Sequence, residues 1–127
     1  MNVVDSSAWL EYFADGPNAP AFAAVVEDEE HLLVPTLTLF EVFKRACQLR
    51  GEDAALALVG VMLQGEVAEL TASLALDAAR VALDNRLPLA DAVILATARA
   101  RGAVLWTQDA HFRGLDGVEY REKPATP

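Results

Sequence analysis

Four acidic residues stand where apolar segments hand over to helical patterns: Asp5 in NVVDSSAWL, Glu41 in TLTLFEVF, Asp91 in LPLADAVILATA and Asp109 in VLWTQDAHF. In a parallel α/β fold those handover points share one edge of the sheet, the edge where ligand sites form. Carboxylates gathered there repel one another unless a cation lies among them. Carboxylate oxygen suits a hard divalent ion such as magnesium. A metal site of that kind points to phosphodiester chemistry.

Each acid also has a purely architectural reading. Asp5 can cap the first helix with its side-chain oxygen. Thr38-Leu-Phe-Glu41 matches a capping box, and Glu41 stands four residues before Arg45, a favourable ion-pair spacing. Asp91 in a first helical turn suits the positive end of the dipole, and Asp109 can cap whatever short element follows it. Helix N-termini favour ionised carboxylates, so the same positions make caps and a cradle for a cation. Spacing does not separate the two readings, because it does not show that the four acids meet. His111, two residues after Asp109, can reach a substrate or sit at a helix end. His31, Asp77, Asp84 and Asp116 read as solvated, and Cys47, on a helix with Phe40 and Phe43, reads as core.

The elements that would carry these residues alternate in type. Residues 2–4 form a short apolar strand, and Ser6 or Ser7 opens a helix to about Phe13, broken by Asp-Gly-Pro-Asn at 15–18. Residues 19–28 read as helix and His31 to Pro35 as a second strand. Thr38 opens a helix to Arg50, stopped by Gly51, and residues 52–64 form another, rich in Ala and Leu. Val67 to Leu70 is a third strand. Thr71 starts a helix to about Asn85. Pro88, suited to a first helical position, opens one that reaches Arg101, with Gly102 as its stop. Ala103 to Trp106 is a fourth strand, and a weak fifth lies near Val118. Strands alternating with helices mean an α/β domain with a parallel sheet.

The chain has 127 residues, which suits one domain. Its apolar content is 54%, with no repeat and no linker-like stretch. The longest helical apolar run, Ala54 to Leu63, is too short for a bilayer, which needs roughly 20 residues. That helix has almost no polar face, so a dimer or partner surface there is as natural as burial. MNVVDSS is not a signal peptide. One cysteine excludes an internal disulfide and fits a reducing compartment, so a cytoplasmic location is expected. Ten basic against nineteen acidic residues give −9, which on its face disfavours nucleic acid. Bound cations would offset part of that charge, and the basic residues group as Arg99 with Arg101 and as Lys44, Arg45 and Arg50. The surplus also suits a partner with a basic surface.

The chain resembles the PIN-domain nucleases, specifically the small VapC-type toxins of bacterial and archaeal toxin–antitoxin pairs. The likeness rests on Val-Val-Asp5-Ser6-Ser7-Ala-Trp, Leu39-Phe40-Glu41-Val42, Leu87-Pro88-Leu89-Ala90-Asp91-Ala92 with Ala96-Thr97-Ala98, and Leu105-Trp106-Thr107-Gln108-Asp109-Ala110-His111-Phe112. It covers nearly the whole chain, and the order and spacing of the motifs carry it more than any one of them. It implies a three-layer α/β/α sandwich with a central, mainly parallel sheet of four or five short strands, one domain over 1–127 and a flexible tail at 121–127. It implies an endoribonuclease dependent on Mg2+ or Mn2+, with Asp5, Glu41, Asp91 and Asp109 as its catalytic acids. Asp5, Asp91 and Asp109 would be direct ligands, with Glu41 acting through water, and Ser6 and Thr107 would support them by hydrogen bonds. The ion would lower the pKa of a water that attacks RNA phosphorus. The implied partners are RNA, a second copy of the chain, and an antitoxin lying in a groove near the helices at 36–64. Two other readings stand beside this one. A PIN domain in RNA processing would share the chemistry. A receiver-like signalling domain would also be acidic at one sheet edge, but its required late lysine is matched here only by Lys123.

Overall fold

A computed structural model describes residues 1–125. Five strands form one sheet: β1 (Asn2–Val4), β2 (Leu32–Pro35), β3 (Glu66–Ala68), β4 (Val104–Thr107) and β5 (Val118–Tyr120). Their order is β3-β2-β1-β4-β5 and every pairing is parallel. Six helices connect them: α1 (Ser6–Phe13), α2 (Ala19–Val26), α3 (Thr36–Arg50), α4 (Glu52–Met62), α5 (Ala72–Asn85) and α6 (Leu89–Ala100), with 3-10 turns at Glu29–His31 and Ala110–Phe112. This is the expected three-layer sandwich, with five strands.

Side chains alternate across a strand, and that alternation builds both cores. Val3, Leu33 and Leu105 point to one face, where Leu87, Ile94, Leu95, Ala98 and Phe112 cover them. Val4, Leu32 and Val34 point to the other, against Ala8, Trp9, Phe22, Val26, Val42 and Met62. The three short inner strands are therefore apolar on both sides, as in parallel sheets covered by helices. Gly65 leads into β3 where a Cβ would come within 3.0 Å of the Leu32 carbonyl oxygen and of Val34, so the chain passes close only because the side chain is missing.

Expectations shift at several element ends, among them the fourth strand, which is Val104–Thr107 rather than 103–106. The third strand spans Glu66–Ala68 rather than 67–70. The third helix begins at Thr36, with Pro35 as its cap residue, so Thr38 lies inside the first turn. Its hydroxyl is buried without a partner, and the capping box does not form. Residues 121–125 carry no helix or strand; the remainder of the expected tail, 126–127, lies outside the described residues.

The strand order sets the site. The chain moves outward from β1 through β2 to β3, then crosses over to β4 and β5 on the far side. The order reverses between β1 and β4, and beyond the carboxyl ends of those two strands lies the crevice that such sheets use for ligands.

Candidate active site

Asp5 is the first residue after β1, and its N–H donates to the Trp106 carbonyl at 3.1 Å, carrying the β1–β4 pairing one step past the strand. Its carboxylate is held on both oxygens. Oδ1 accepts from the Ala8 N–H at 2.9 Å and the Ser7 hydroxyl at 2.8 Å, and Oδ2 accepts from the Thr107 hydroxyl at 2.6 Å. Asp5 thus caps α1 from the end of β1, beside the β1–β4 seam. It is 3% exposed. Burial pushes its pKa up to about 7 despite those three hydrogen bonds, and the charge of Asp109 adds to the rise.

Thr107 links two of the acids. While donating to Asp5, its oxygen accepts the N–H of Asp109 at 2.9 Å, a use of donor and lone pair that a hydroxyl allows. Asp109 then caps the 3-10 turn, its Oδ1 accepting from the His111 N–H at 2.9 Å. Glu41 stands in the second turn of α3 and accepts from the Ser6 hydroxyl at 2.6 Å. Asp91 lies in the first turn of α6. Burial raises its pKa, a hydrogen bond with His111 opposes that, and the charges of Asp109 and Glu41 add to it. Asp109 therefore bears on both Asp5 and Asp91, and Glu41 on Asp91, so four acids from four separate segments share one region.

The caps expected of Asp5 and Asp109 are present, so for these two residues the architectural and chemical readings coincide. Among the described residues no lysine or arginine forms an ion pair with any of the four acids. The basic side chain beside them is His111, whose Nδ1 lies 2.9 Å from Asp91 Oδ2 and 3.4 Å from Asp109 Oδ1. Its pKa is raised, first by the hydrogen bond to Asp91 and then by the charge of Asp109. Asp91, Asp109 and His111 each offer a ligand atom within 4.8 Å of the others. Asp5 and Glu41 fall outside that tightest set. The carboxylate oxygens of this set fit a divalent ion of the magnesium or manganese type.

Two contributions were not legible in the sequence. Ser7 rather than Ser6 binds Asp5, because the helix starting at Ser6 turns the second serine back over its cap residue. His111 reaches Asp91 across 20 positions, a contact that no local spacing encodes.

Two recesses lie nearby, one holding Glu41 and the other bordered by Ser7, which binds Asp5. One, about 260 Å³, is lined by Phe40, Glu41, Lys44, Arg45 and Gln48. The other, about 320 Å³, runs from Ser7 and Gln108 past Phe13, Leu49 and Leu58, with Arg45, Arg50 and Lys123 on its walls.

The chain matches the PIN domain family over residues 3–118 and belongs to it. Membership in that family displaces the receiver-like reading. Among solved structures it is similar to a toxin–antitoxin complex from Klebsiella pneumoniae, at TM-score 0.81 and 21% identity, covering 97% of this chain and 100% of that one. It is similar to a structure from Pyrobaculum aerophilum, at TM-score 0.75 and 24% identity over 94% and 88% of the two chains. It is also similar to a VapC toxin of Mycobacterium tuberculosis described as cleaving the sarcin–ricin loop, at TM-score 0.71 and 21% identity over 93% and 98%. At these identities the likeness is one of fold. No curated protein sequence matches the chain.

Proposed function

We propose that this PIN domain is a metal-dependent endoribonuclease and the toxin of a toxin–antitoxin pair, acting in the cytoplasm. The observation that carries the reading is that Asp5, Glu41, Asp91 and Asp109 gather beside the carboxyl ends of β1 and β4 and that, among the described residues, no lysine or arginine pairs with them. Similarity to structures solved as toxin–antitoxin complexes supports the biological part.

Asp5, Asp91 and Asp109 would hold Mg2+ or Mn2+, with Glu41 acting through water. When bound, the ion supplies Lewis acidity, easing loss of a proton from water and offsetting charge on the phosphate. The chain's own residues do the rest. Thr107 and Ser7 fix the Asp5 carboxylate in one orientation at the end of β1. Ser6 restrains Glu41, whose free oxygen can accept a proton from, or orient, the attacking water. Lys44 and Arg45, three and four residues after Glu41, are placed to take flanking phosphates as the RNA backbone crosses the site. No side chain needs to become a covalent nucleophile.

The larger recess suits an antitoxin segment. Leu10, Phe13, Leu49 and Leu58 offer it apolar contact, while Arg45, Arg50 and Lys123 outnumber the one acid of its lining, Glu11, and ask for acidic residues along the segment. A basic residue fits only where the segment reaches the carboxylates. This adds acidic positions to the expectation, drawn from net charge, of a partner with a basic surface.

The test is cleavage of cellular RNA by the purified chain with Mg2+ or Mn2+, beside Asp109→Asn, together with growth after expression with and without the neighbouring gene. Cleavage lost in the variant and growth arrest relieved by the neighbour are the expected results. Cleavage without arrest would favour RNA processing over a toxin role. Cleavage that persists undiminished in Asp109→Asn would refute the site.

A further inference from the structure

We infer that His111 is itself a ligand of the cation site and tilts it away from Mg2+ toward Mn2+. The inference rests on the proposed metal site and adds a nitrogen donor to it. Two ligands on adjacent vertices of an octahedral ion, each about 2.1 Å from it, stand about 3 Å apart. The imidazole Nδ1 stands 2.9 Å from one carboxylate oxygen of Asp91 and 3.4 Å from one of Asp109. Those two separations are of the size that donors about one ion take, and the two carboxylate oxygens lie within 4.8 Å of each other, with a hydrogen bond filling the place of the cation.

The placement of the ring is built into the chain. Asp109 caps the 3-10 turn by accepting the backbone N–H of His111 at 2.9 Å, so the acid and the imidazole are anchored to each other through the main chain. Phe112, next in sequence, is buried in the core and pins the turn from below. His111 itself is 59% exposed on its side chain. Its conformation is not required for packing, so the contact with two carboxylates is the ring's principal engagement. Imidazole nitrogen is a poor partner for Mg2+, which favours oxygen, and a better one for first-row transition ions. Adding it to an otherwise all-oxygen set raises affinity for Mn2+ more than for Mg2+.

The test uses the full chain stripped of metal, with Mn2+ alone as the probe. Free Mn2+ is followed by its electron paramagnetic resonance signal, Mg2+ is measured by competition, and pulsed resonance reads nitrogen-14 coupling to the bound ion. Wild type should show the coupling of a directly bound imidazole. His111→Ala should lose it, with Mn2+ affinity falling about tenfold, the lower end of what loss of a supporting group at a metal site costs, and Mg2+ affinity changing far less. The chain's other histidine, His31, pairs with Asp28, so His31→Ala should leave the coupling intact. Absence of the coupling in wild type, or its survival in His111→Ala, overturns the inference. Asp109→Asn separates this from failure of the site. If that variant loses Mn2+ while His111→Ala binds as wild type does, the carboxylate site stands without its nitrogen. If neither variant changes binding, the site itself is misassigned.

Discussion

Asp5 keeps a carboxylate where water does not reach it, and its pKa of about 7 states the cost. The unfolded side chain titrates near 4. Below that pH both states are protonated and the group costs nothing. As pH rises from about 4 to 7 the native state holds a proton that the unfolded state has lost, so stability falls across that window and the loss is complete above it. Asp5→Asn removes the charge while its amide oxygen still accepts from Ala8 and Ser7. Without metal, the variant should therefore melt higher than wild type at pH 8, by an amount on the order of a few kcal/mol, and nearly with it at pH 4. RNA cleavage should fall at least a hundredfold, the scale of removing one electrostatic group from an active site. Melting curves in chelator at the two pH values check the first part and a cleavage assay the second; a variant that is less stable at pH 8 would mean that capping outweighs the buried charge. Ser6→Ala should act more gently. It frees Glu41 without unfolding anything, so cleavage should drop about tenfold while the melting temperature holds.

At the scale of elements, strands and helices were legible because two periodicities rarely mimic each other: Val-Val at 3–4 and Leu-Leu-Val at 32–34 are short and apolar, and the helices follow with Ala, Leu and turn residues between. What was hidden depended on tertiary context. Thr38 and Glu41 have capping-box spacing, yet the helix begins two residues earlier because Pro35 can start it and β2 delivers the chain there. Glu41 is then free to take its hydrogen bond from Ser6, 35 residues away. The four acids were individually visible, but their convergence is a property of strand order, which no single segment carries. The end of α5 offers a clean test of local physics. Arg86 takes the left-handed conformation at φ 54, a place where glycine is at ease and other residues are strained. Arg86→Gly should raise stability by about 1 kcal/mol, measured by denaturant midpoint, with cleavage unchanged.

Over the whole molecule, the Ala/Leu-rich α4 divides its duties. Met62 is fully buried in the core with Val4 and Trp9, so a charge there would unfold the chain rather than disturb a partner. Leu58 lines the recess beside Ser7 and Gln108, and Leu56 and Leu63 are exposed. A second apolar surface lies between α5 and α6, where Leu70, Ala75, Ala79, Ala82 and Leu89 line a recess of about 390 Å³. That surface is the better candidate for self-association. Leu89 is 74% exposed, so Leu89→Glu should convert a dimer to monomers in light scattering without loss of fold, whereas Leu56→Glu should leave the mass unchanged. A wild-type chain that is monomeric at tens of micromolar would refute the dimer.

The central strand has a kinetic consequence. β1 pairs Asn2 with Val104 and Val4 with Trp106, so the middle of the sheet closes only when segments about a hundred positions apart find each other. Contacts of such long sequence separation slow folding. Asp5 sits at the end of that pairing, and its oxygen is held by Thr107 on the distant strand. Formation of the proposed site and closure of the sheet's longest-range pairing are thus one event: partly folded forms that keep α1 to α4 but lack the β1–β4 seam carry some of the acids without the site they are proposed to form.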